Sequence, residues 1–363
     1  MRISLVMPNL LTWDGERLVT GGLERLAWHL VAAARDAGYD VDVHQNGARD
    51  WQRTVRGVTV RGHGLASISP LAALESIHHE TERCLYLSIM QEPQAFRPQS
   101  LVVSHGVWWD HAGSETQGPL NLCRSVLEQA AEVVSVDYNF QSVMRATFPA
   151  YADRITVIPN PVDLDAFHPP STLRQGRLQV LFPRRLDPAR GLDLFLEAMQ
   201  PLLRDRPDLA AVLAVDANDP DRTRELRRRI AELPLAGSVS MRTASFEDMP
   251  ELYRQADIVA IPSLYSEGTS LALLEALASG CAVVATDVGG MTNVVLDGFN
   301  GMLVPPRAKR LREAIATLAA DAGLRARLGA NARASAEAFA LPRWRQAWQD
   351  ALRRVYGQPE GAL

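Results

Sequence analysis

Lysine is all but missing from this chain of 363 residues: Lys309 is the only one, so nearly every fixed cation is an arginine. An enzyme that uses pyridoxal phosphate needs a lysine amine for its Schiff base. The single lysine lies late in the chain, outside any site the motifs define, which argues against that cofactor and against a glycan phosphorylase built on it. Cysteine is scarce too. Cys84, Cys123 and Cys281 form an odd, widely spaced set that makes neither a disulfide framework nor a metal-ligand cluster. No stretch approaches the roughly 18 to 20 uninterrupted apolar residues of a membrane-spanning helix. The opening residues 1–10 turn polar too soon for a secretion signal and read as a first buried strand. An excess of positive charge is also lacking. The 38 Lys and Arg stand against 42 Asp and Glu, a net charge of -4, which argues against gripping nucleic acid as the main task. No strand is followed by a Gly-x-Gly-x-x-Gly turn, so a dinucleotide oxidoreductase is not supported. What these absences leave is a cytoplasmic α/β enzyme.

The apolar content is ample. Hydrophobic residues make up 47% of the chain and charged residues 22%, and at about 150 residues per domain the length suggests two cores. Short runs rich in Val, Ile and Leu alternate with segments of helical period, the pattern of a parallel sheet covered by helices. In the first half, strands are expected at 3–7, 40–44, 85–89, 101–104, 133–136 and 155–158, with a helix over 23–37. After the break Phe167-His168-Pro169-Pro170-Ser171-Thr172 the pattern restarts. Its strands are expected at 180–183, 211–215, 239–241, 258–261 and 282–286, with helices over 191–204, 222–232, 249–255 and 271–278. This is an α/β chain of two Rossmann-like, doubly wound domains facing each other across a cleft, residues 1–168 and 169–341. No solenoid repeat or low-complexity tract is present. The arginine-rich run 222–229 reads as a solvated helix face with Glu225 and Glu232 as partners.

The most informative segment is 261–280, where a strand ends at Pro262 and a polar turn containing Gly268 leads into a helix near Thr269 or Ser270, both competent N-caps. Backbone N–H groups of Gly268, Thr269, Ser270 and Leu271 then lie at a helix N-terminus on the carboxyl edge of a sheet, a natural diphosphate site. Glu267 stands in that turn and Glu275 two helical turns on, so both carboxylates can face one crevice. Read alone, Glu267 is an ordinary dipole-favoured surface residue. Glu275 is harder to dismiss, because a carboxylate inside the apolar run 271–277 needs partners or a ligand.

Glu267, seven intervening residues and Glu275, then Ala276, Gly280, the strand 282–286 and Asp287-Val288-Gly289-Gly290, together resemble the signature of family 4 retaining glycosyltransferases of the GT-B fold, the glycosyltransferases group 1. Val294, Asp297-Gly298 and Asn300-Gly301 continue the match. The resemblance implies that Glu267 contacts the donor sugar and that Glu275 hydrogen-bonds the ribose of the nucleotide.

Further matches follow in the family's order. Gly21-Gly22-Leu23-Glu24-Arg25 resembles the glycine-rich loop before the first helix, where backbone approaches the donor phosphates or the acceptor. Val102-Val103-Ser104-His105-Gly106 resembles the strand whose histidine lines the donor sugar, which gives His105 that role. Asn160-Pro161-Val162-Asp163 resembles a hinge-side motif in which Pro161 replaces a glycine and stiffens the turn. The segment 181–191 resembles Gly-Arg-Leu followed by Lys-Gly, so Arg185 and Arg190 take the places of the family's diphosphate-binding cations. Arg184 stands where a glycine is usual. The loop around Arg242 and Thr243 corresponds to the segment that holds the base, and Asp216-Ala217-Asn218 departs from the common Gly-x-Gly turn. A C-terminal amphipathic helix over 344–356, in a tail of 342–363, crosses back to the first domain in relatives.

The reaction implied is transfer of a sugar, with retention, from a nucleoside-diphosphate sugar, UDP- or GDP-linked, to a hydroxyl of a glycan, glycolipid precursor or small molecule. Arginines and the helix end would stabilise the leaving diphosphate, which makes a metal optional, and no permanently bound cofactor is expected. The acceptor is expected on the first domain, near 10–20, 63–70 and 106–118, where Trp108 and Trp109 can stack on a flat ring or simply close an interface. No basic amphipathic helix marks that domain for lipid, although peripheral contact with a membrane is left open. Two alternatives stand beside this reading: a sugar-nucleotide epimerase on the same fold, and a partner protein that binds the nucleotide without turnover. Oligomeric state, base, sugar and linkage are not legible.

Overall fold

The computed structural model describes residues 1–19, 21–64, 83–89, 96–106, 118–172, 176–215, 220–232, 236–265 and 267–359. The chain divides into two compact units, Met1–Pro159 with Pro342–Leu363, and Asn160–Leu341.

Among the described residues the first unit carries eight strands: β1 (Arg2–Val6), β2 (Asp40–Gly47), β3 (Trp51–Val55), β4 (Val58–Gly64), β5 (Cys84–Tyr86), β6 (Ser100–Ser104), β7 (Glu132–Ser135) and β8 (Ile155–Val157). They run in the order β3-β4-β2-β1-β5-β6-β7-β8, parallel except for the β3–β4 hairpin. Helices α1 (Gly22–Asp36), α2 (Gly118–Gln129) and α3 (Tyr138–Thr147) belong to the same unit. The central strands are continuous apolar runs such as Ser100-Leu101-Val102-Val103-Ser104, buried throughout, as a sheet covered on both faces requires. The hairpin was not expected from the sequence. Its two-residue turn is Arg56-Gly57, both left-handed at φ 50° and 72°, a geometry usually announced by Asn-Gly rather than Arg-Gly.

The second unit holds β9 (Leu178–Pro183), β10 (Leu209–Val215), β11 (Val239–Thr243), β12 (Ile258–Ile261), β13 (Ala282–Thr286) and β14 (Met302–Val304), all parallel, in the order β11-β10-β9-β12-β13-β14. Its helices are α4 (Leu192–Asp205), α5 (Pro220–Ala231), α6 (Met249–Gln255), α7 (Leu271–Ala278), α8 (Ala308–Ala320) and α9 (Ala322–Ala336). Strand side chains alternate between two cores. Val180 and Phe182 pack with Phe195 and Leu213 on one face, and Leu181 packs with Val259, Leu273 and Leu277 on the other. Strand order reverses between β9 and β12, and in sheets of this kind ligands bind outside the carboxyl ends of the strands at such a reversal.

The final helix, α10 (Leu341–Tyr356), starts three residues before the expected 344 and packs on the first unit. Tyr356 donates to Cys84 O at 2.6 Å and accepts from Leu101 N at 3.2 Å, Arg354 pairs with Glu132 at 2.7 Å, and Trp344 and Trp348 are buried.

The units divide at Pro159 rather than at the proline pair after 168. The intervening residues are tied into the second unit by hydrogen bonds from Val162 N to Phe339 O (2.9 Å), from Leu341 N to Val162 O (3.0 Å) and from Arg333 to Phe167 O (2.8 Å). Val162 and Phe167 are also buried in its core.

Candidate functional site

The carboxyl ends of β9 and β12 deliver the two halves of a charged cluster in the second unit. Arg184 follows β9 directly, and Ser263 and Glu267 lie in the turn after β12. Two close approaches between loops fix them. Gly191 has φ 75°, and a Cβ there would lie 1.8 Å from Pro262 O, while Leu264 N donates to Ala189 O at 2.8 Å. These bind the loop after β9 to the loop after β12. Gly289 has φ 50°, and its Cβ would lie 2.0 Å from Glu267 O. Gly290 N donates to that same carbonyl at 2.7 Å, and Thr286 Oγ1 donates to Ser263 O at 2.6 Å. Glycine is required at both left-handed positions by space as well as by backbone angle.

Glu267 receives three donors on one oxygen. Arg184 Nη2, Arg190 Nη1 (2.5 Å) and Ser263 Oγ (2.6 Å) all donate to Oε2. Burial pushes this carboxyl upward, but the two guanidinium groups and the serine hydroxyl outweigh it, and the group lies below the usual carboxylate range. Arg184 is itself buried. It donates from Nη2 to Ser263 Oγ at 3.1 Å and from Nη1 to Ser270 Oγ at 2.8 Å, and its Nε has no partner among the described residues. Desolvation lowers its pKa, although a guanidinium stays charged. A buried and a half-buried cation thus share one carboxylate.

Ser270 is the N-cap of α7, as expected, yet its side chain caps nothing. Its hydroxyl accepts from Arg184 instead, so the first N–H groups of α7 receive no side-chain acceptor from it. Gly268 and Thr269 are buried in the same turn, and Asn160 Nδ2 donates to Thr269 O at 2.7 Å while Asn160 Oδ1 is left without a partner. Leu271 begins the helix and is half-buried. Helix N-termini of this kind, with arginines alongside, are where anions commonly bind in proteins.

Glu275, on α7, is buried with Tyr253 Oη 3.0 Å from its Oε2. Burial, then the neighbouring carboxylate, raises Tyr253 well above the usual phenol range, so it stays protonated and donates. Arg242 and Thr243 lie at the exposed carboxyl end of β11. Arg185 is exposed and makes no side-chain hydrogen bond among the described residues. It is therefore Arg184, not Arg185, that the fold joins to Arg190 and Glu267. Sequence reasoning flagged Arg184 only as a departure from the usual glycine. It missed Ser263 and Tyr253, whose one available signal is a polar group next to an apolar strand or helix core.

In the first unit, Gly21 caps α1 with extended backbone (φ -170°), an angle any residue adopts, and Gly22 opens the helix. His105 follows β6, and its Nε2–H donates to Leu87 O at 2.8 Å, just beyond β5. Desolvation lowers its pKa to about 4, so the ring is neutral near pH 7 and Nδ1 carries a lone pair. Near the expected acceptor region, His63 lies 2.8 Å from His44 through Nε2 and Nδ1, and Ser4 Oγ donates to Asp42 at 2.9 Å behind them. Trp108 and Trp109, and the turn 216–218, lie outside the described residues. Among the described residues no group of three or more His, Cys, Asp or Glu is placed to hold a metal ion, and no helix is long and apolar enough to cross a membrane.

Two units built on mostly parallel, Rossmann-like sheets define the fold class. Residues 164–335, within the second unit, match the family described as glycosyl transferases group 1. A D-inositol 3-phosphate glycosyltransferase of Stackebrandtia nassauensis is 32% identical over 223 residues, covering 57% of this chain and 50% of that protein. The chain spans about half the length of the first curated relatives it matches. Among solved structures, sucrose-phosphate synthase from Thermosynechococcus elongatus aligns with 99% of this chain and 100% of its own, at TM-score 0.79 and 19% identity. Anabaena Alr3699/HepE in complex with UDP-glucose aligns with 98% and 100%, at TM-score 0.75 and 20% identity. At these identities the structures establish a shared fold, that of the GT-B enzymes.

Proposed function

We propose that this chain is a retaining glycosyltransferase that moves a sugar from a nucleoside-diphosphate donor to a hydroxyl of a glycan, glycolipid precursor or small-molecule acceptor. The observation that carries the reading is Arg190, paired with the buried Glu267 in the turn before α7, beside a helix end that Ser270 leaves uncapped. That cation and the N–H groups at the start of α7 suit the diphosphate, whose charge grows as the glycosidic bond breaks, and preorganised charge of this kind dominates catalysis. The proposal needs neither a metal nor a permanently bound cofactor, because these groups supply the stabilisation. Glu275 with Tyr253 is the ribose contact, and Arg242 and Thr243 lie beside the base. The UDP-glucose bound by the Anabaena protein favours a uridine donor, with a guanosine donor second.

Glu267 orients the sugar. With three donors on Oε2 it is a poorly basic carboxylate, unsuited to act as a covalent nucleophile, so retention is assigned to the departing phosphate, which takes the acceptor proton on the face it leaves. His105, neutral, offers Nδ1 as an acceptor for a sugar hydroxyl. Thermal unfolding with UDP, GDP, ADP, CDP and dTDP tests the reading: a ligand at about 100 times its Kd adds roughly 2.7 kcal/mol. One nucleotide that raises the midpoint supports the site; no response to any of the five refutes it.

A further inference from the structure

We propose that Arg184 is a positioning residue that decides which oxygen of Glu267 meets the donor sugar, and hence which sugars are accepted. The inference rests on the glycosyltransferase reading and extends it to a residue outside the motif that carries it. Arg184 is held on two sides, by Ser270 from Nη1 and by Ser263 from Nη2, so its guanidinium has a fixed place behind the carboxylate. From there it fills Oε2 together with Arg190 and Ser263, while Oε1 accepts nothing from the described residues. A carboxylate oxygen is an acceptor only, so the ligand group that meets Oε1 has to be a donor, a hydroxyl or an amide N–H. A sugar carrying a carboxylate at that position would set anion against anion. A glycine at 184 would remove the guanidinium, leave Glu267 with Arg190 and Ser263 alone, and free the carboxylate to rotate.

Arg184 is set apart from a phosphate ligand by its surroundings: it is buried among Ser263, Ser270 and Glu267, whereas Arg185 is exposed and Arg190 is half-buried. The test compares wild type with Arg184→Gly and Arg184→Lys, by calorimetry with UDP and UDP-glucose and with GDP and GDP-mannose. The pair used is the one whose nucleoside diphosphate binds the wild type. In Arg184→Gly the nucleoside diphosphate is expected to bind within about threefold of wild type, while the sugar nucleotide binds at least about tenfold more weakly. Arg184→Lys, which keeps the charge should the glycine variant fail to fold, recovers part of that loss. The acid limb of donor turnover also moves to higher pH in Arg184→Gly, which a purely structural role would not produce. Equal losses for nucleotide and sugar nucleotide, or no loss in either, overturn the positioning role while leaving the glycosyltransferase reading intact. A wild type that binds neither nucleotide overturns that reading itself.

Discussion

Gly290 N donates to the carbonyl of Glu267 at 2.7 Å, so the turn that carries the central carboxylate is clamped by the strand-to-helix loop of the next βα unit. The residue before it, Gly289, is left-handed and leaves no room for a Cβ against that carbonyl. Gly289→Ala should therefore combine backbone strain with a steric clash and cost about 2 kcal/mol or more. Gly298→Ala is the comparison, since Gly298 is also left-handed at φ 72° but a Cβ there meets nothing within 4 Å; about 1 kcal/mol is expected. Urea denaturation of both variants checks the difference. Equal losses would show that the clash with Glu267 contributes nothing.

Tyr253→Phe removes a hydroxyl that donates to a buried carboxylate. Hydrogen bonds to charged groups are worth about 1.5 to 3 kcal/mol, so the variant should lose about 2 kcal/mol of stability. Nucleotide affinity should fall with it, through Glu275. An unchanged affinity would remove Glu275 from the ribose site.

Arg190→Ala deletes one of the two cations on Glu267 and the one assigned to the diphosphate. Binding of the nucleoside diphosphate should weaken about tenfold or more, and the loss should shrink at high ionic strength. Arg185→Ala, at an exposed side chain, should have the smaller effect in the same titration.

His105 gives the fold a pH dependence of known sign. Its pKa falls from an ordinary 6.5 to about 4 on folding, because the charged ring would be desolvated. The unfolded chain therefore binds the proton more readily, and stability present above pH 6.5 is lost as pH falls toward 4. His105→Asn should flatten that part of a plot of melting temperature against pH. A variant with the wild-type slope would show that His105 is not the group responsible.

Much of this was legible in the sequence. Unbroken apolar runs such as 258–261 and 282–286 gave strands with the observed ends, because strands buried on both faces leave little ambiguity. The arginine-rich helix α5 is the solvated face expected, with Arg228 paired to Glu225 and Glu232 at 2.6 Å each. The Arg56-Gly57 hairpin, whose turn lacks the usual Asn-Gly, and the helices α2, α3, α8 and α9 were not read, although Asp137 and Asp321 cap α3 and α9 in the ordinary way. In the site, the place of Glu267 in the turn before the helix and of Glu275 within the helix followed from the sequence pattern. The contact of Arg184 with Glu267 did not, because neighbouring residues at the end of a strand point to opposite sides, and only the fold decides which side holds the carboxylate. Ser270 was legible as an N-cap, but not its diversion to Arg184.

The most direct test of the account is the effect of Glu267→Ala on donor turnover and on nucleotide binding, measured in the same preparation. Hydrolysis or transfer from UDP-glucose or GDP-mannose, whichever the wild type consumes, should fall by about 100-fold or more, while Kd for the matching nucleoside diphosphate stays within about threefold. Equal losses in turnover and in nucleotide affinity would contradict the central claim, that Glu267 serves the sugar while Arg190 and the start of α7 serve the diphosphate.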